Sequence, residues 1–231
     1  MALLDDLTNS VKTTFAASWS TRNGTVVPVD TDLSLGNDGV KLTATVLYAD
    51  LSESTKLVDS YPAALAAEIY KTFLQCAARI IRSENGAITA YDGDRVMAVY
   101  IGDLKNTQAA RTALKINWAC KNIIQPAYNK QYPDRPYALK HTVGIDTSEI
   151  LVARAGIRGS NDLVWIGRAA NWAAKLCALD HDYPSWITAA VFEQMATIAK
   201  TSIDGRPMWE AQTWTAMNSA SIYRSHWSWQ L

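Results

Sequence analysis

The chain contains few of the residues that build disulfide frameworks or structural zinc sites. Its 231 residues include three cysteines, which is an odd number, and three histidines. These residues are Cys76, Cys120, Cys177, His141, His181 and His226. Scattered cysteines are typical of reduced core thiols in a cytosolic protein, and the spacing of the histidines offers no zinc site. We therefore expect neither a disulfide-stapled domain nor a zinc protein.

The chain also lacks an excess of one charge and a long apolar run. Its 22 basic residues balance its 22 acidic residues, which argues against a nucleic-acid groove or a basic membrane patch. No run approaches the roughly 20 apolar residues of a membrane span, and no secretory signal precedes the domain. We therefore expect a cytoplasmic protein that binds no nucleic acid and no membrane, and that holds any anionic ligand in a local site.

What is present suffices for one core domain with an extension. Apolar residues make up 48% of the chain, and the length suits one large domain. We predict an N-terminal extension at 1–40 and the core domain at 41–231. The predicted elements of the core are a strand at 42–49, a helix through 65–80, a hairpin at 87–91 and 95–101, a helix at 107–124 ended by Pro126, strands at 138–146, 149–154 and 163–166, a helix at 168–179, a strand at 185–188, a helix at 189–200 and closing strands within 208–229. This order favours an α+β fold with helices packed on a mainly antiparallel sheet.

Two strand-like segments each carry an aspartate at a loop edge. The segment Thr45–Thr55 carries Asp50, and the segment Ile88–Ala98 carries Asp94 beside the hairpin signal Asp92-Gly93. Paired carboxylates on apolar strands suit hard cations such as Mg²⁺ and Mn²⁺, and such pairs often hold two metals around a phosphoryl group. The sequence therefore predicts a two-metal phosphoryl site.

Four segments carry motifs that occur together in one known family, in the order and spacing of that family. They are Leu47–Thr55, Asp92–Ala98, Val143–Ile150 and Gly167–Leu176. Together they resemble the catalytic domain of class III adenylyl and guanylyl cyclases, and the resemblance covers about Lys41 to Leu231. It implies a ferredoxin-like α+β domain.

The resemblance implies a role for each matched residue. Asp50 and Asp94 would be the metal carboxylates and the carbonyl of Leu51 a further ligand, for two Mn²⁺ or Mg²⁺ ions per site. Asn171 would orient the ribose, and Lys175 stands where the family has an arginine that stabilises the transition state. The backbone amides that would cradle the phosphates belong to Ser52, Glu53, Ser54 and Thr55. The family's sites form in a head-to-tail homodimer, with the aspartates from one subunit and the asparagine and its cation from the other.

The base-reading positions of the family hold unusual residues here. Adenylyl cyclases use a lysine and an aspartate at the positions of Ala90 and Val164, and guanylyl cyclases place a glutamate at the first of these. With neither reader present, Tyr48 and Asp92 on the face of the metal aspartates would crowd the pocket and suit a smaller base. This combination resembles the bacterial pyrimidine cyclases of Pycsar anti-phage systems, whose cyclic product activates a separate effector protein.

We favour UTP as the substrate, because Arg95 can donate a hydrogen bond to a uracil oxygen while Asp92 accepts from N3–H. Cytidylate cyclase is the first alternative, because Asp92 can equally accept from the amino group of cytosine. A divergent adenylyl cyclase and a non-catalytic nucleotide-binding domain follow. Simpler interpretations also stay open for single residues: Asp92 as a turn residue, Tyr48 as core, Arg95 as a surface ion-pair partner and Lys175 as a solvated helix lysine.

Overall fold

A nine-stranded sheet forms the centre of the protein, in a computed structural model that describes residues 2–231. Its strands are β1 (Ser20–Asn23), β2 (Asp38–Leu51), β3 (Ala87–Asp92), β4 (Arg95–Tyr100), β5 (His141–Ile157), β6 (Ser160–Ile166), β7 (Ser185–Thr188), β8 (Glu210–Trp214) and β9 (Ala220–Ser225). The main strand order is β3-β4-β2-β5-β7-β9-β8, while β1 pairs with β2 and β6 pairs with β5. Only the β1–β2 and β5–β7 pairs are parallel within residues 2–231, which confirms the predicted mainly antiparallel α+β fold.

The two longest strands, β2 with 14 residues and β5 with 17, form the central pair of the sheet. They pair antiparallel from Gly39–Ala153 at one end to Leu51–His141 at the other. The sequence predicted two separate strands, 138–146 and 149–154, in place of β5, with a break at Thr147 and Ser148. In the structure both residues stay in the ladder with β2, and the Ser148 hydroxyl accepts a hydrogen bond from the Ala169 amide at 3.0 Å.

Seven α-helices flank the sheet within the described residues. They are α1 (Ala2–Ala16), α2 (Ser54–Ser60), α3 (Ala63–Ser83), α4 (Lys105–Ala119), α5 (Gln125–Gln131), α6 (Arg168–Leu176) and α7 (Ala189–Gln194). The helix predicted to stop at Pro126 instead widens into a π-helical turn at Cys120–Ile124 and continues as α5. Pro126 is compatible with this path because it lies in the first turn of α5, where its missing N–H is not needed. None of the helices within residues 2–231 has the length and apolar character to cross a bilayer.

The two faces of the sheet are covered differently. Leu47, Ala49 and Leu51 of β2 point into a large core built with α3 and α4. Leu42 and Val46 point to the other face, where they pack with the α6 alanines and with Leu33 from the N-terminal segment. Since side chains alternate along a strand, Tyr48 and Asp50 belong to this second face.

The N-terminal segment takes part in the sheet. β1 adds to β2, and Leu33 is buried with only 2% of its surface exposed. The boundary expected between residues 40 and 41 therefore falls inside β2, which begins at Asp38. Residue propensities did not predict that this segment joins the sheet, because all four residues of the short strand Ser20–Asn23 are polar and exposed. The strand is held by its pairing with β2.

Candidate active site

Asp50 and Asp94 lie together at the end of the β2–β4 pair. Asp50 ends the ladder opposite Arg95, and Asp94 occupies the tight turn between β3 and β4. Burial, followed by the negative charge of Asp94, raises the pKa of Asp50 to about 6. Asp94 Oδ2 is buried and has no hydrogen-bond partner within residues 2–231. Two neighbouring carboxylates, one with a raised pKa and one with an orphaned oxygen, favour the binding of a cation.

This donor set fits divalent cations. Within residues 2–231 no group of three His, Cys, Asp or Glu side chains could hold a metal, so protein carboxylates supply only part of a coordination sphere. That is the usual arrangement for Mg²⁺ at phosphate sites, where one or two carboxylates act together with water and substrate oxygens. The predicted ligand Leu51 is buried at the end of β2, directly after Asp50.

Beside the carboxylates, Tyr48, Arg95 and Asp92 form a linked cluster. The Arg95 guanidinium lies 5.2 Å from the centre of the Tyr48 ring, and Arg95 Nη2 donates to Asp92 Oδ2 at 2.8 Å. Tyr48 and Ala90 pack against the same apolar cluster on the second face of the sheet. Asp92 and Arg95 thus lie next to Asp50, Ala90 lies on the same face as Tyr48, and Arg95 is held between a ring and a carboxylate.

Val164 is the predicted site residue that the structure does not bring to this pocket. It is 37% exposed, whereas its neighbours Leu163 and Trp165 pack on the cluster that contains Tyr48 and Ala90. The reason is alternation along β6, which sends Val164 to the opposite side. Leu163 and Trp165 are therefore the β6 residues on the site's face, and counting positions from the helix motif could not reveal this.

The turn predicted to cradle phosphates carries a polar cluster that sequence reasoning missed. Glu53 adopts the left-handed conformation just before α2, with φ 59° and ψ 28°. Its Oε1 accepts from Lys140 Nζ at 3.0 Å and lies 2.9 Å from His181 Nε2. The hydrogen bond from Lys140 is the main cause that holds the pKa of Glu53 below its usual value. Lys56 and Lys140 also line a cavity of about 280 Å³ at this turn.

The surroundings of the turn are polar as well. Ser52 N donates to Lys140 O at 2.9 Å, so this amide, which was predicted to contact a phosphate, is already engaged. The hydroxyls of Ser52 and Thr142 lie 2.9 Å apart. Ser54 and Thr55 open α2 directly after Glu53. A left-handed residue at such a turn lets neighbouring N–H groups point to one side, where an anion can sit.

Asn171 and Lys175 are exposed on one face of α6, as their spacing of four predicts. Lys175 Nζ lies 3.7 Å from Met217 Sδ, in the loop between β8 and β9. Within residues 2–231 no salt bridge joins Lys175 to Asp50 or Asp94. Within the described residues of one copy, neither aspartate therefore neutralises the Lys175 ammonium.

Several contacts fix α6 on the sheet. Arg168, at its first turn, pairs with the fully buried Asp146 at 3.1 Å, and Asp146 also accepts from the Thr188 hydroxyl at 2.6 Å. At the other end, the Cys177 thiol donates to Tyr48 O at 3.3 Å. Gly144 of β5 lies so close to α6 that a Cβ there would meet Ala173 O at 2.2 Å. Arg168 is thus occupied by Asp146 and is not a free substitute for the family's arginine.

Comparison with known proteins agrees with this geometry. No protein-family model matches the chain. The chain is 51% identical over 232 residues to a uridylate cyclase of Xanthomonas perforans, covering 100% of both chains. It is 52% identical over 231 residues to a uridylate cyclase of Burkholderia cepacia, covering 99% of both. The adenylyl cyclase CyaB of P. aeruginosa shares the fold, with a TM-score of 0.69 at 18% identity over 81% of this chain and 95% of that one. The chain therefore belongs to the uridylate cyclase family and has the fold of the class III nucleotide cyclases.

Proposed function

We propose that this protein is a uridylate cyclase that converts UTP to 3′,5′-cyclic UMP and pyrophosphate. The observation that carries the proposal is the pair Asp50 and Asp94, with its raised pKa and orphaned oxygen, next to the Tyr48–Arg95–Asp92 cluster. The full-length similarity to proteins named uridylate cyclase supports the choice of base.

In this proposal Asp50, Asp94 and the carbonyl of Leu51 hold two Mg²⁺ or Mn²⁺ ions. Such ions, when bound, supply charge that favours an ionised ribose 3′-oxygen and a bound triphosphate. The turn from Ser52 to Thr55 receives the triphosphate, with Lys56 and Lys140 close by. Little covalent work falls to the protein in an in-line displacement, so its part is positioning and charge stabilisation.

Two copies of the chain are needed for a complete site. Lys175 forms no ion pair with Asp50 or Asp94 within the described residues of one copy, and a head-to-tail dimer would bring the Asn171–Lys175 pair of one subunit to the aspartates of the other. Asn171 would then orient the ribose, and Lys175 would face the charge that develops on the α-phosphate. Lys175 has the charge of an arginine without its planar fork, so it acts as a point charge.

The base pocket supports a pyrimidine. In this proposal the Tyr48 ring and the Arg95 guanidinium, 5.2 Å apart, would crowd a purine, and Arg95 would donate to a carbonyl oxygen of the base. Asp92 is an acceptor beside it, suited to the N3–H of uracil. Cytosine, with an amino group at C4, remains the alternative that Asp92 would also accept.

The deciding experiment incubates the purified protein with each of UTP, CTP, ATP and GTP, with Mn²⁺ or Mg²⁺, and resolves the products by mass. We expect cyclic UMP from UTP, and loss of product in the Asp50→Ala/Asp94→Ala double variant. The matched control is Asp59→Ala, an exposed carboxylate in the same region, which should leave turnover unchanged. Cyclic CMP or cyclic AMP as the main product would contradict the assigned base. No product from a folded dimer would favour a binding-only domain.

We further propose a cellular role in anti-phage signalling, in which the cyclic nucleotide is read by a separate effector protein in the cytoplasm. The support is the similarity to bacterial pyrimidine cyclases. Expression of the protein with its genomic neighbours, with and without the Asp50→Ala/Asp94→Ala change, tests this role by plaque counts. Equal counts for both would contradict it.

A further inference from the structure

Helix α1 has an apolar stripe that nothing within one copy of the chain covers. The stripe consists of side chains that recur every three to four residues: Leu3, Leu4, Leu7, Val11 and Phe15. Each is more than half exposed, from 55% at Val11 to 87% at Phe15. With about 100° between successive residues, they fall within an arc of about 120°. None of the residues Ala2–Ala16 is buried.

The helix is nevertheless attached to the domain in a set direction. Asn37 Nδ2 donates to Thr14 O at 2.9 Å and to Ala17 O at 2.8 Å, which ties down the last turn of α1. Asn37 O in turn accepts from Ser20 N at 2.7 Å, just before β2 begins. A 15-residue helix is only marginally stable in water without tertiary contacts. We therefore expect the exposed apolar side chains of α1 to pack against another surface.

The segment that follows α1 lies on the face of the sheet that carries the site. Val27 and Leu33 pack in the same cluster as Tyr48 and Ala90, and this cluster also takes in the buried alanines of α6. Helices α3 and α4 close the opposite face. The segment that joins α1 to β2 therefore lies on the same face of the sheet as Tyr48 and α6.

We propose that the apolar stripe of α1 packs against a second copy of this chain and forms part of the homodimer interface. The inference rests on the proposed shared active site, because that site already requires a second copy at this face. Five exposed apolar side chains make a patch of a few hundred Å². Two such patches, related by a two-fold axis, supply roughly half of the ~1,600 Å² of a standard interface, so α1 extends the contact made by the sheet face.

The test measures the dimer dissociation constant of the full-length protein by sedimentation over a range of concentrations. Replacing Leu7, Val11 and Phe15 by glutamine should raise the dissociation constant at least about tenfold, which corresponds to 1.4 kcal/mol. Replacing the same three by alanine keeps helix propensity high and should have the same effect. Asn37→Ala, which frees the last turn, should weaken the dimer by a smaller factor.

The matched control changes the opposite face of the same helix. Three polar residues of that face, Asp5, Asn9 and Thr13, are replaced together by glutamine. This variant should keep the wild-type dissociation constant.

The outcomes separate this inference from the proposed function. A dimeric, active wild type whose stripe variants keep the same dissociation constant would overturn the role of α1 alone. A wild type that is monomeric and still makes product would overturn both the inference and the shared site. A dimer that the stripe variants dissociate, but that cyclises no nucleotide, would support the interface and refute the activity.

Discussion

Replacing Gly144 by alanine tests the placement of α6 most directly. A Cβ at this position would lie 2.2 Å from Ala173 O, 2.8 Å from Leu176 Cβ and 3.0 Å from Cys177 N. Two of these three atoms belong to the backbone, so no side-chain rotation relieves the contact. Ordinary contact begins at 3.4 Å, and the end of α6 would have to move away from β5 by roughly 1 Å.

The size of the effect follows from this displacement. Overfilling a packed core costs about 1–3 kcal/mol, and a clash with backbone belongs at the upper end. For a chain of this length, a loss of about 3 kcal/mol lowers the thermal midpoint by about 6–12 °C. Asn171 and Lys175 move with α6, and a misplacement of about 1 Å at a catalytic group can cost ~100-fold in rate. We expect turnover to fall by about that factor.

Thermal unfolding and steady-state turnover of Gly144→Ala, measured side by side, test whether α6 packs against β5 at Gly144. Gly36→Ala is the control, because its Cβ would meet only Ser34 Oγ at 3.8 Å in an exposed loop, and it should stay within about 0.5 kcal/mol of the wild type. If Gly144→Ala matches the wild type in midpoint and turnover, α6 does not rest on β5 as described, and the position of Asn171 does not depend on this contact.

Three further changes have defined outcomes. The pKa of Asp50, raised to about 6, lies above its unfolded value near 3.8, so the stability that this group contributes is fully present below about pH 3.8 and is lost as pH rises through about 6. The melting temperature of the metal-free protein should therefore fall between about pH 4 and pH 7 relative to that of the Asp50→Asn variant, which carries no charge at this position; a constant difference between the two would contradict the raised pKa. Asp146→Asn keeps an acceptor for Thr188 but removes the charge that faces Arg168, and urea unfolding should show a loss of about 1–3 kcal/mol. Lys175→Met should leave stability within about 0.5 kcal/mol and lower turnover at least tenfold, whereas Lys175→Arg should retain turnover; equal turnover in the methionine variant would remove Lys175 from the site.

Local patterns in the sequence predicted the parts of the fold that local forces determine. The Asp92-Gly93 hairpin formed as predicted because Gly93, with φ 60°, supplies the left-handed residue that the turn needs. The face that holds Tyr48 and Asp50 followed from the two-residue period of β2. The start of α6 at Arg168 followed from its motif.

Contacts between distant residues explain what the sequence could not predict. Glu53 meets Lys140 across 87 positions, and no local pattern links it to His181 either. The continuity of β5 through Ser148 depends on its pairing with β2, and the burial of Leu33 depends on a face that only the assembled sheet creates. In each case tertiary contact decided the outcome over propensity.

The pairing of β2 with β5 also determines when this protein can fold during its synthesis. Leu51 pairs with His141 and Gly39 pairs with Ala153, so the central ladder joins residues about 100 positions apart. At ~5–20 residues per second, β2 would wait about 5–20 seconds on the ribosome before its main partner strand is made. During that time β2 can pair only with β1 and β4, and long-range antiparallel pairing is itself slow to form. We therefore expect folding to be completed late, after β5 has left the ribosome, with chaperones protecting β2 until then.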